Sequence, residues 1–137
     1  MILRYHSNNM KELLLLRHAK SDRSAPEATD FGRGLNGRGR RAAKRMGRYL
    51  VASGLAPDLV LCSQARRARE TLEHLGQAIP ADARICLERG LYLAGSQDVL
   101  ARLARVANSV DRVLVVGHNP GLQDLAVALA PARSDQA

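Results

Sequence analysis

Arg17 and His18 directly follow a run of four leucines in the stretch LLLLRHAKSD. Arg66 and Arg67 lie shortly after the apolar run DLVLC, and His118 follows the run RVLVV. A guanidinium group binds phosphoryl oxygens through two parallel hydrogen bonds, and a neutral imidazole can attack phosphorus to form a phosphohistidine. These residue types are therefore those of phosphoryl transfer, provided that the fold brings them together.

Short apolar runs alternate with helical stretches along the whole chain. The predicted strands are 12–16, 58–62, 84–87 and 112–116, and the predicted helices are 36–53, 65–77, 97–108 and one that begins at 122. Strands separated by helices of this length indicate parallel βαβ units, so the predicted fold class is α/β, a single-domain three-layer sandwich with a mostly parallel sheet and helices on both faces. Ligands of such sheets bind beyond the carboxyl ends of the strands, which is where the arginines and histidines fall.

The composition is that of a single domain. The chain has 137 residues, of which 46% are hydrophobic. We expect residues 1–10 to be a loose leader, with Met10 as an alternative start, and residues 11–137 to form one catalytic domain. No apolar run approaches the roughly 20 residues of a membrane span and the N-terminus has no signal-peptide core, so we expect a cytoplasmic protein. Cys62 and Cys86 lie in apolar runs and are expected to be free thiols.

Basic residues are concentrated between positions 33 and 48, where there is no acid. The cluster consists of Arg33, Arg38, Arg40, Arg41, Lys44, Arg45 and Arg48. Such a run is usually a solvated helix face, but it also suits docking of an acidic phosphoprotein or binding of nucleic acid. With one Phe, three Tyr and no Trp there is little aromatic surface for base stacking, so nucleic-acid binding is the less favoured alternative.

The glycines at positions 32, 34 and 37 spell G-x-G-x-x-G, the pattern of a dinucleotide-binding turn. That turn needs a strand directly before it, whereas residues 21–34 (SDRSAPEATDFGRG) read as a surface loop that could partly cover the Arg-His pair. We therefore expect no cofactor. His18, His74, His118 and the two cysteines lack the close His-x-x-x-His or Cys-x-x-Cys spacing of metal sites, so we expect no metal.

Five segments together resemble the histidine phosphatase superfamily, and within it the small SixA-type phosphohistidine phosphatases. The segments are LLLLRHAKSD, LNGRGRRAA, SQARRARET, LYLA and VLVVGHNPGL. They occur in order from about Lys11 to Leu129, so the resemblance covers nearly the whole chain. It implies a phosphoglycerate mutase-like fold and phosphatase activity.

The resemblance also assigns roles to individual residues. His18 matches the phosphorylated nucleophile of the family, and Arg17 matches a phosphate ligand. The arginine four residues after the serine of SQARRARET is Arg67, so Arg67 rather than Arg66 matches the second phosphate ligand. His118 matches the second histidine of the pocket.

Other residues are assigned less directly. Ser21 and Asn36 lie in segments that border the substrate pockets of the family. Relatives usually continue past the last helix into at least one more strand, whereas this chain stops at Ala137, so either the sheet lacks an edge strand or the sequence is a form shortened at the C-terminus. Larger relatives carry a glutamate that protonates the leaving group. Here Glu88 is the candidate proton donor and Asp22 a second one, and neither matches a family position.

The resemblance implies a metal-independent phosphatase that removes phosphate from phosphohistidine on a protein through an intermediate on His18. General-acid help contributes about 10²- to 10⁴-fold, and an alkoxide leaving group needs it more than an imidazole does. The absence of a matched acid therefore favours phosphohistidine over a phosphate ester. Two alternatives are a phosphatase of small-molecule phosphate esters and a non-enzymatic module that binds nucleic acid or a phosphoprotein.

Overall fold

The computed structural model describes residues 2–6, 11–24 and 29–129. The predicted alternative start at Met10 and the expected short C-terminus lie outside that part. The strands are β1 (Ile2–His6), β2 (Glu12–Arg17), β3 (Leu59–Ser63), β4 (Arg84–Glu88) and β5 (Arg112–Gly117). The helices are α1 (Gly37–Ala52), α2 (Arg66–His74), α3 (Ser96–Leu103) and α4 (Gly121–Leu129), with short 3-10 turns at Gly76–Ala78 and Arg89–Leu91.

The strands form one sheet in the order β1-β2-β5-β3-β4. All neighbouring pairs are parallel except β1 and β2, which are antiparallel. The β2–β5 register places Arg17 opposite Gly117, and His18 extends it by donating its backbone N–H to the Gly117 carbonyl (3.0 Å). The carboxyl ends of β2, β5 and β3 are therefore side by side, and the prediction of a mostly parallel α/β sheet is confirmed.

Each central strand contributes alternate residues to two apolar cores, one on each face of the sheet. The core under α1 and α2 contains Leu14, Leu16, Leu50, Leu55, Val60, Cys62, Leu72, Leu75, Leu114 and Val116. The core under α3 and α4 contains Leu13, Leu15, Leu59, Leu61, Val99, Val113, Val115, Leu122 and Leu125. Burying one such side chain stabilises the fold by about 1.5–3 kcal/mol. Helices thus cover both faces, which confirms the three-layer arrangement and explains why the strands are apolar at consecutive positions.

The strand β1 differs from the expected loose leader, because Ile2–His6 are paired with β2 along its whole length. Ile2 packs against the core under α1 and α2, and Tyr5 packs against the opposite core. Arg4 forms an ion pair with Glu12, a buried carboxylate that also accepts from Arg112 Nε (2.6 Å). Backbone pairing with β2 and these contacts thus make the segment a strand.

The loop after β2 is fixed against the first turn of α1. Asn36 is the N-cap, as predicted, and its side-chain oxygen accepts from Gly39 N (2.8 Å) while its backbone N–H donates to Lys20 O (3.0 Å). A Cβ at Gly39 would lie only 2.1 Å from Lys20 O, so the close approach of helix and loop requires a residue without a side chain. The residues that follow His18 are thereby held in place.

Two helices are shorter than predicted. α2 ends at His74 because Gly76, with a φ of 59°, turns the chain into the left-handed region. α3 ends at Leu103, and the next residues bond three positions back, Arg105 N to Arg102 O and Val106 N to Leu103 O, which is the pattern of a tighter final turn.

Candidate active site

The carboxyl ends of β2, β5 and β3 open into one cleft of about 1320 Å³. Residues from widely separated parts of the chain line it, among them Arg17, His18, Ser21, Asp30, Arg67 and His118. Arg17 and His18 come from the end of β2, His118 from the end of β5, and Arg67 from the first turn of α2 after β3. The topology therefore brings together the arginines and histidines that sequence spacing pointed to.

His18 is held as one neutral tautomer. Its Nδ1 lies 2.7 Å from Ala19 O, and because a carbonyl only accepts, Nδ1 carries the proton. Nε2 accepts from Arg67 Nε (3.3 Å) and so bears the lone pair. Burial and, more weakly, the charges of Arg67 and Arg17 lower the pKa of His18 to about 4, so the ring is neutral at physiological pH. A neutral imidazole with an unprotonated Nε2 is suited to nucleophilic attack once the hydrogen bond from Arg67 Nε is released.

His118 is the second imidazole of the cleft, with its ring centroid 5.2 Å from that of His18. Nε2 lies 2.8 Å from Ser63 Oγ, and Nδ1 lies 3.5 Å from Arg67 Nη2. Because arginine only donates, Nδ1 bears the lone pair and Nε2–H donates to Ser63. Burial, then the neighbouring His18 and Arg67, lower the pKa of His118 to about 4. The ring is thus neutral, and the dianionic charge of a bound phosphoryl group would raise its pKa.

Arg67 is the centre of the cleft and is only 4% exposed. In addition to His18, its guanidinium donates to Asp30 O through Nη1 (2.6 Å) and to Asp30 Oδ2 through Nη2 (3.1 Å). Arg66, by contrast, pairs with Glu70 on the outer face of α2 (2.8 Å). The geometry therefore places Arg67, and not Arg66, beside both histidines.

Arg17 lines the cleft with an exposed side chain. Its guanidinium makes no hydrogen bond or ion pair to another residue in the described part of the chain. A guanidinium group without a protein partner at the mouth of the cleft is available for an anionic ligand.

Thr71 joins the His18 loop to the helix that carries Arg67. Its hydroxyl accepts from Ala19 N (2.9 Å) and donates to Arg67 O (2.7 Å), and the side chain is buried. Arg67 and Thr71 are four residues apart and so lie on the same face of α2. The serine, arginine and threonine of the SQARRARET segment all act on this cleft, since Ser63 accepts from His118.

Replacing Thr71 by valine is expected to lower kcat/KM about 10-fold or more, because the buried Ala19 N–H loses its acceptor and the loop carrying His18 shifts. The unsatisfied donor also costs about 1–3 kcal/mol of stability. Urea unfolding together with steady-state kinetics measures both effects. Thr71→Ser, which keeps the hydroxyl and both of its hydrogen bonds, is the matched control and should retain most of the activity; a Thr71→Val protein as active as the native one would contradict the prediction.

The structure places the remaining candidate residues, Ser21, Asn36 and Asp22, at different positions relative to the cleft. Ser21 is buried and lines the cleft. Asn36 caps α1 and donates through Nδ2 to Ser21 O (3.3 Å), so it supports the cleft wall and is not itself among the lining residues. Asp22 is engaged locally by Ser24, whose backbone N–H (2.8 Å) and hydroxyl (2.6 Å) both donate to it.

The geometry does not favour Glu88 as a proton donor. Both of its carboxylate oxygens accept from Arg102 Nε (2.8 and 2.9 Å), and Glu88 is not among the residues that line the cleft. The reason is topological. β4 is the edge strand, separated from β2 by β3 and β5, so its carboxyl end is remote from His18.

Sequence reasoning missed Asp30 and Tyr92. The Asp30 carboxylate accepts from Arg67, from Arg33 Nη2 (2.6 Å) and from the Tyr92 hydroxyl. The Tyr92 bond and then the charge of Arg67 hold the pKa of Asp30 at about 2. Tyr92 also packs edge-on against His118, with ring centroids 5.5 Å apart. The only sequence signals were that Asp30 lies in the loop that could cover the Arg-His pair and that Tyr92 belongs to the LYLA segment.

Protonation of the two buried imidazoles links folding to pH. Their pKa values of about 4 in the folded chain lie below the value of about 6.5 in the unfolded chain. The unfolded chain therefore binds more protons than the folded chain between these pH values. The contribution of the two imidazoles to the free energy of unfolding is fully present above about pH 6.5 and is lost as the pH falls toward 4. Urea unfolding across this range is expected to show a loss on the order of 2 kcal/mol. His118→Asn should reduce the loss and His74→Gln, outside the cleft, should not; a flat profile in the native protein contradicts the prediction.

The basic run is mostly an exposed face of α1. Six of its residues are exposed on the helix, and α1 has no acid. They are Arg38, Arg40, Arg41, Lys44, Arg45 and Arg48.

Gly32 and Gly34 follow a loop and not a strand, which agrees with the rejection of a dinucleotide-binding turn. Within the described ranges there is no group of three His, Cys, Asp or Glu side chains that could hold a metal, and no helix is long and apolar enough to cross a membrane.

Comparisons with known proteins agree on one family. The model of the histidine phosphatase superfamily (branch 1) matches residues 13–91. Uncharacterized protein Rv1276c of Mycobacterium tuberculosis is 46% identical over 116 residues, which are 84% of this chain and 70% of that protein. Uncharacterized protein ML1117 of Mycobacterium leprae is 37% identical over 117 residues, 83% of this chain and 70% of that protein.

Solved structures give the same result. A SixA protein from Agrobacterium tumefaciens superimposes with a TM-score of 0.77 at 34% identity, covering 85% of this chain and 74% of that one. The protein histidine phosphatase SixA complexed with tungstate has a TM-score of 0.77 at 27% identity, covering 88% of this chain and 77% of that one. An alpha-ribazole-5'-P phosphatase structure from Escherichia coli, at 20% identity and a TM-score of 0.66 over 85% of this chain and 78% of that one, shares the fold.

Proposed function

The chain belongs to the histidine phosphatase superfamily, branch 1, and on that basis we propose that it removes phosphate from phosphohistidine on a protein, with His18 as the transient phosphoryl acceptor. The observation that carries the proposal is the state of His18. Its Nε2 bears a lone pair, lies beside the Arg67 guanidinium and faces a second neutral imidazole. One cleft thus contains a candidate nucleophile (His18), a buried guanidinium group with several N–H donors (Arg67) and a second titratable imidazole (His118).

In the proposed reaction Arg17 and Arg67 bind the phosphoryl oxygens. Arg67 Nε–H, which donates to His18 Nε2 in the structure, then donates to a phosphoryl oxygen instead, and this frees the lone pair of Nε2. Nε2 attacks phosphorus, and the P–N bond to His18 forms as the bond to the leaving group breaks. Water later hydrolyses this intermediate. Because the transition state spreads negative charge over three oxygens, positioned guanidinium groups do most of the catalytic work.

His118 assists from the other side of Arg67. A bound phosphoryl dianion favours its protonated form, so that Nδ1–H donates to a phosphoryl oxygen while Nε2–H keeps its bond to Ser63. The Ser63 hydroxyl, itself fixed by Ala65 N (3.1 Å), holds the ring in this orientation.

The choice of phosphohistidine over an ester is supported by the protonation state of the cleft. Asp30 is the one acidic residue among the described residues that line it, and with a pKa of about 2 it is ionised. An alkoxide leaving group would find no protonated carboxyl there, whereas an imidazole with a proton on its second nitrogen leaves as a neutral molecule. Exposed Arg17, Lys20 and Arg23 line the open cleft, which suits a phosphorylated side chain on a protein surface.

A substrate panel tests the proposal. It comprises a phosphohistidine-bearing protein domain, phosphoramidate, an aryl phosphate and several sugar phosphates, each ranked by kcat/KM with and without a metal chelator. We expect the phosphohistidine protein to rank first and the chelator to have no effect. A sugar phosphate in first place would favour the alternative of a small-molecule phosphatase. No turnover of any substrate, together with salt-sensitive DNA binding, would favour the non-enzymatic module.

A further inference from the structure

We propose that Asp30 recognises the leaving group: its carboxylate accepts a hydrogen bond from the second, protonated ring nitrogen of a phosphohistidine and so selects a phosphoimidazolium over a phosphate ester. This inference rests on the proposed function and adds a specificity-determining residue to it. Asp30 is not one of the residues that the sequence analysis assigned to the site. It lies in the cleft because the loop before α1 packs against Arg67.

The charge distribution of the cleft singles out Asp30. Among the described residues that line the cleft, six are basic and one is acidic. The basic residues are Arg4, Arg17, Lys20, Arg23, Arg33 and Arg67. The six cations suit the phosphoryl dianion, whereas the single carboxylate lowers the positive potential around the dianion, and a positive group on the substrate would offset that cost. The ring of a phosphoimidazolium is such a group.

Asp30 can only accept a hydrogen bond. Two guanidinium groups and the Tyr92 hydroxyl donate to its carboxylate, which keeps it ionised. The same contact raises the pKa of Tyr92, so the phenol keeps its proton as well. The carboxylate therefore has no proton to give to an alkoxide, but it favours a substrate that brings an N–H and a positive charge.

The carboxylate has room for one more donor. A carboxylate offers about four lone-pair sites, and the contacts of Arg33, Arg67 and Tyr92 occupy three of them. The Asp30 side chain is 45% exposed, so the remaining site is accessible from the cleft. Because the same carboxylate is bonded to Arg67, an N–H bound there would lie next to the guanidinium that holds the phosphoryl group.

The chemistry of the step explains the selectivity. As the His18 Nε2–P bond forms, the P–N bond of the substrate breaks and its electron pair returns to the ring nitrogen. The proton stays on the other nitrogen, so the leaving group is a neutral imidazole and no external acid is required. Asp30 stabilises the protonated ring before the step. An alcohol leaving group carries no such N–H and departs as an alkoxide.

The test compares two substrates whose leaving groups need no proton from the enzyme. Phosphoimidazole in its protonated form carries an N–H on the second ring nitrogen, whereas p-nitrophenyl phosphate has no such donor and leaves as a stable phenolate. In Asp30→Asn the ratio of kcat/KM for phosphoimidazole over p-nitrophenyl phosphate is expected to fall about 10- to 100-fold, as for loss of one charge-assisted hydrogen bond. Asp82→Asn, an exposed aspartate in the turn before β4, is the matched control and should leave the ratio unchanged.

Two outcomes overturn the inference. Equal losses on both substrates would show that Asp30 only positions Arg67, and equal gains would show that it only competes with phosphate for Arg67. A native protein that hydrolyses p-nitrophenyl phosphate but not phosphoimidazole would instead refute the proposed function, so the two failures are distinguishable.

The native protein supplies a second measurement if Asp30→Asn fails to fold. N-methylated phosphoimidazolium keeps the positive charge but lacks the N–H. Relative to uncatalysed hydrolysis, its acceleration is expected to be smaller than that of phosphoimidazole; an equal or larger acceleration contradicts the hydrogen bond.

Discussion

His18→Ala is expected to lower kcat/KM by about 10⁴-fold or more on every substrate, because it removes the proposed phosphoryl acceptor. Partial compensation by water attack is expected to be small. The variant keeps Arg17, Arg67 and His118, the proposed phosphate ligands, but lacks the lone pair at Nε2. The loss should therefore fall mainly on kcat.

Trapping the intermediate makes this prediction specific. After brief incubation with phosphoramidate and a rapid quench in alkali, the native protein is expected to gain the mass of one phosphoryl group that is lost on acid treatment, as a phosphorus–nitrogen bond is. The His18→Ala protein should not gain it. His74→Ala, on α2 outside the cleft, is the matched control and should behave as native. Activity that survives in His18→Ala, or that appears only with added metal, would refute the mechanism.

Arg67→Ala is expected to lower kcat/KM by about 10³-fold, whereas Arg66→Ala should change it less than about 3-fold. The two residues are adjacent on α2, yet one is buried against both histidines and the other pairs with Glu70 on the helix surface. Equal losses would show that the site is not where the geometry places it. The pair therefore tests position as well as residue type.

A third variant separates charge from shape at this position. Arg67→Lys keeps the positive charge but has no planar fork, so it cannot hold the two Asp30 acceptors and a phosphoryl oxygen in the geometry that Arg67 provides. We expect it to recover less than about a tenth of the lost activity. Circular dichroism of all three variants checks that the buried contacts of Arg67 are not needed for folding itself.

The sequence predicted the parts of the site that depend on local pattern. His18 and His118 follow buried strands, and in a parallel sheet the carboxyl ends of neighbouring strands meet, so their approach follows from the apolar runs alone. The side chains of Asp30 and Tyr92 meet across 62 residues of sequence, and no local pattern specifies that contact. β1 was not predicted from the sequence for a similar reason, because its pairing with β2 is what makes it a strand. Glu88 is a candidate donor on the sequence alone, because nothing in the sequence shows that β4 lies at the edge of the sheet, away from His18.

The pairing of β2 with β5 has a consequence for how the protein tolerates change. Arg17 stands opposite Gly117, so His18 and His118 are equivalent positions one step beyond the last paired residues. Their spacing is thus set by main-chain hydrogen bonds of two buried strands, and a slip by one residue would move one ring about 3.3 Å past the other. An insertion or deletion within either strand should abolish activity even in a protein that still folds, whereas length changes in the surface loops away from the cleft should be tolerated.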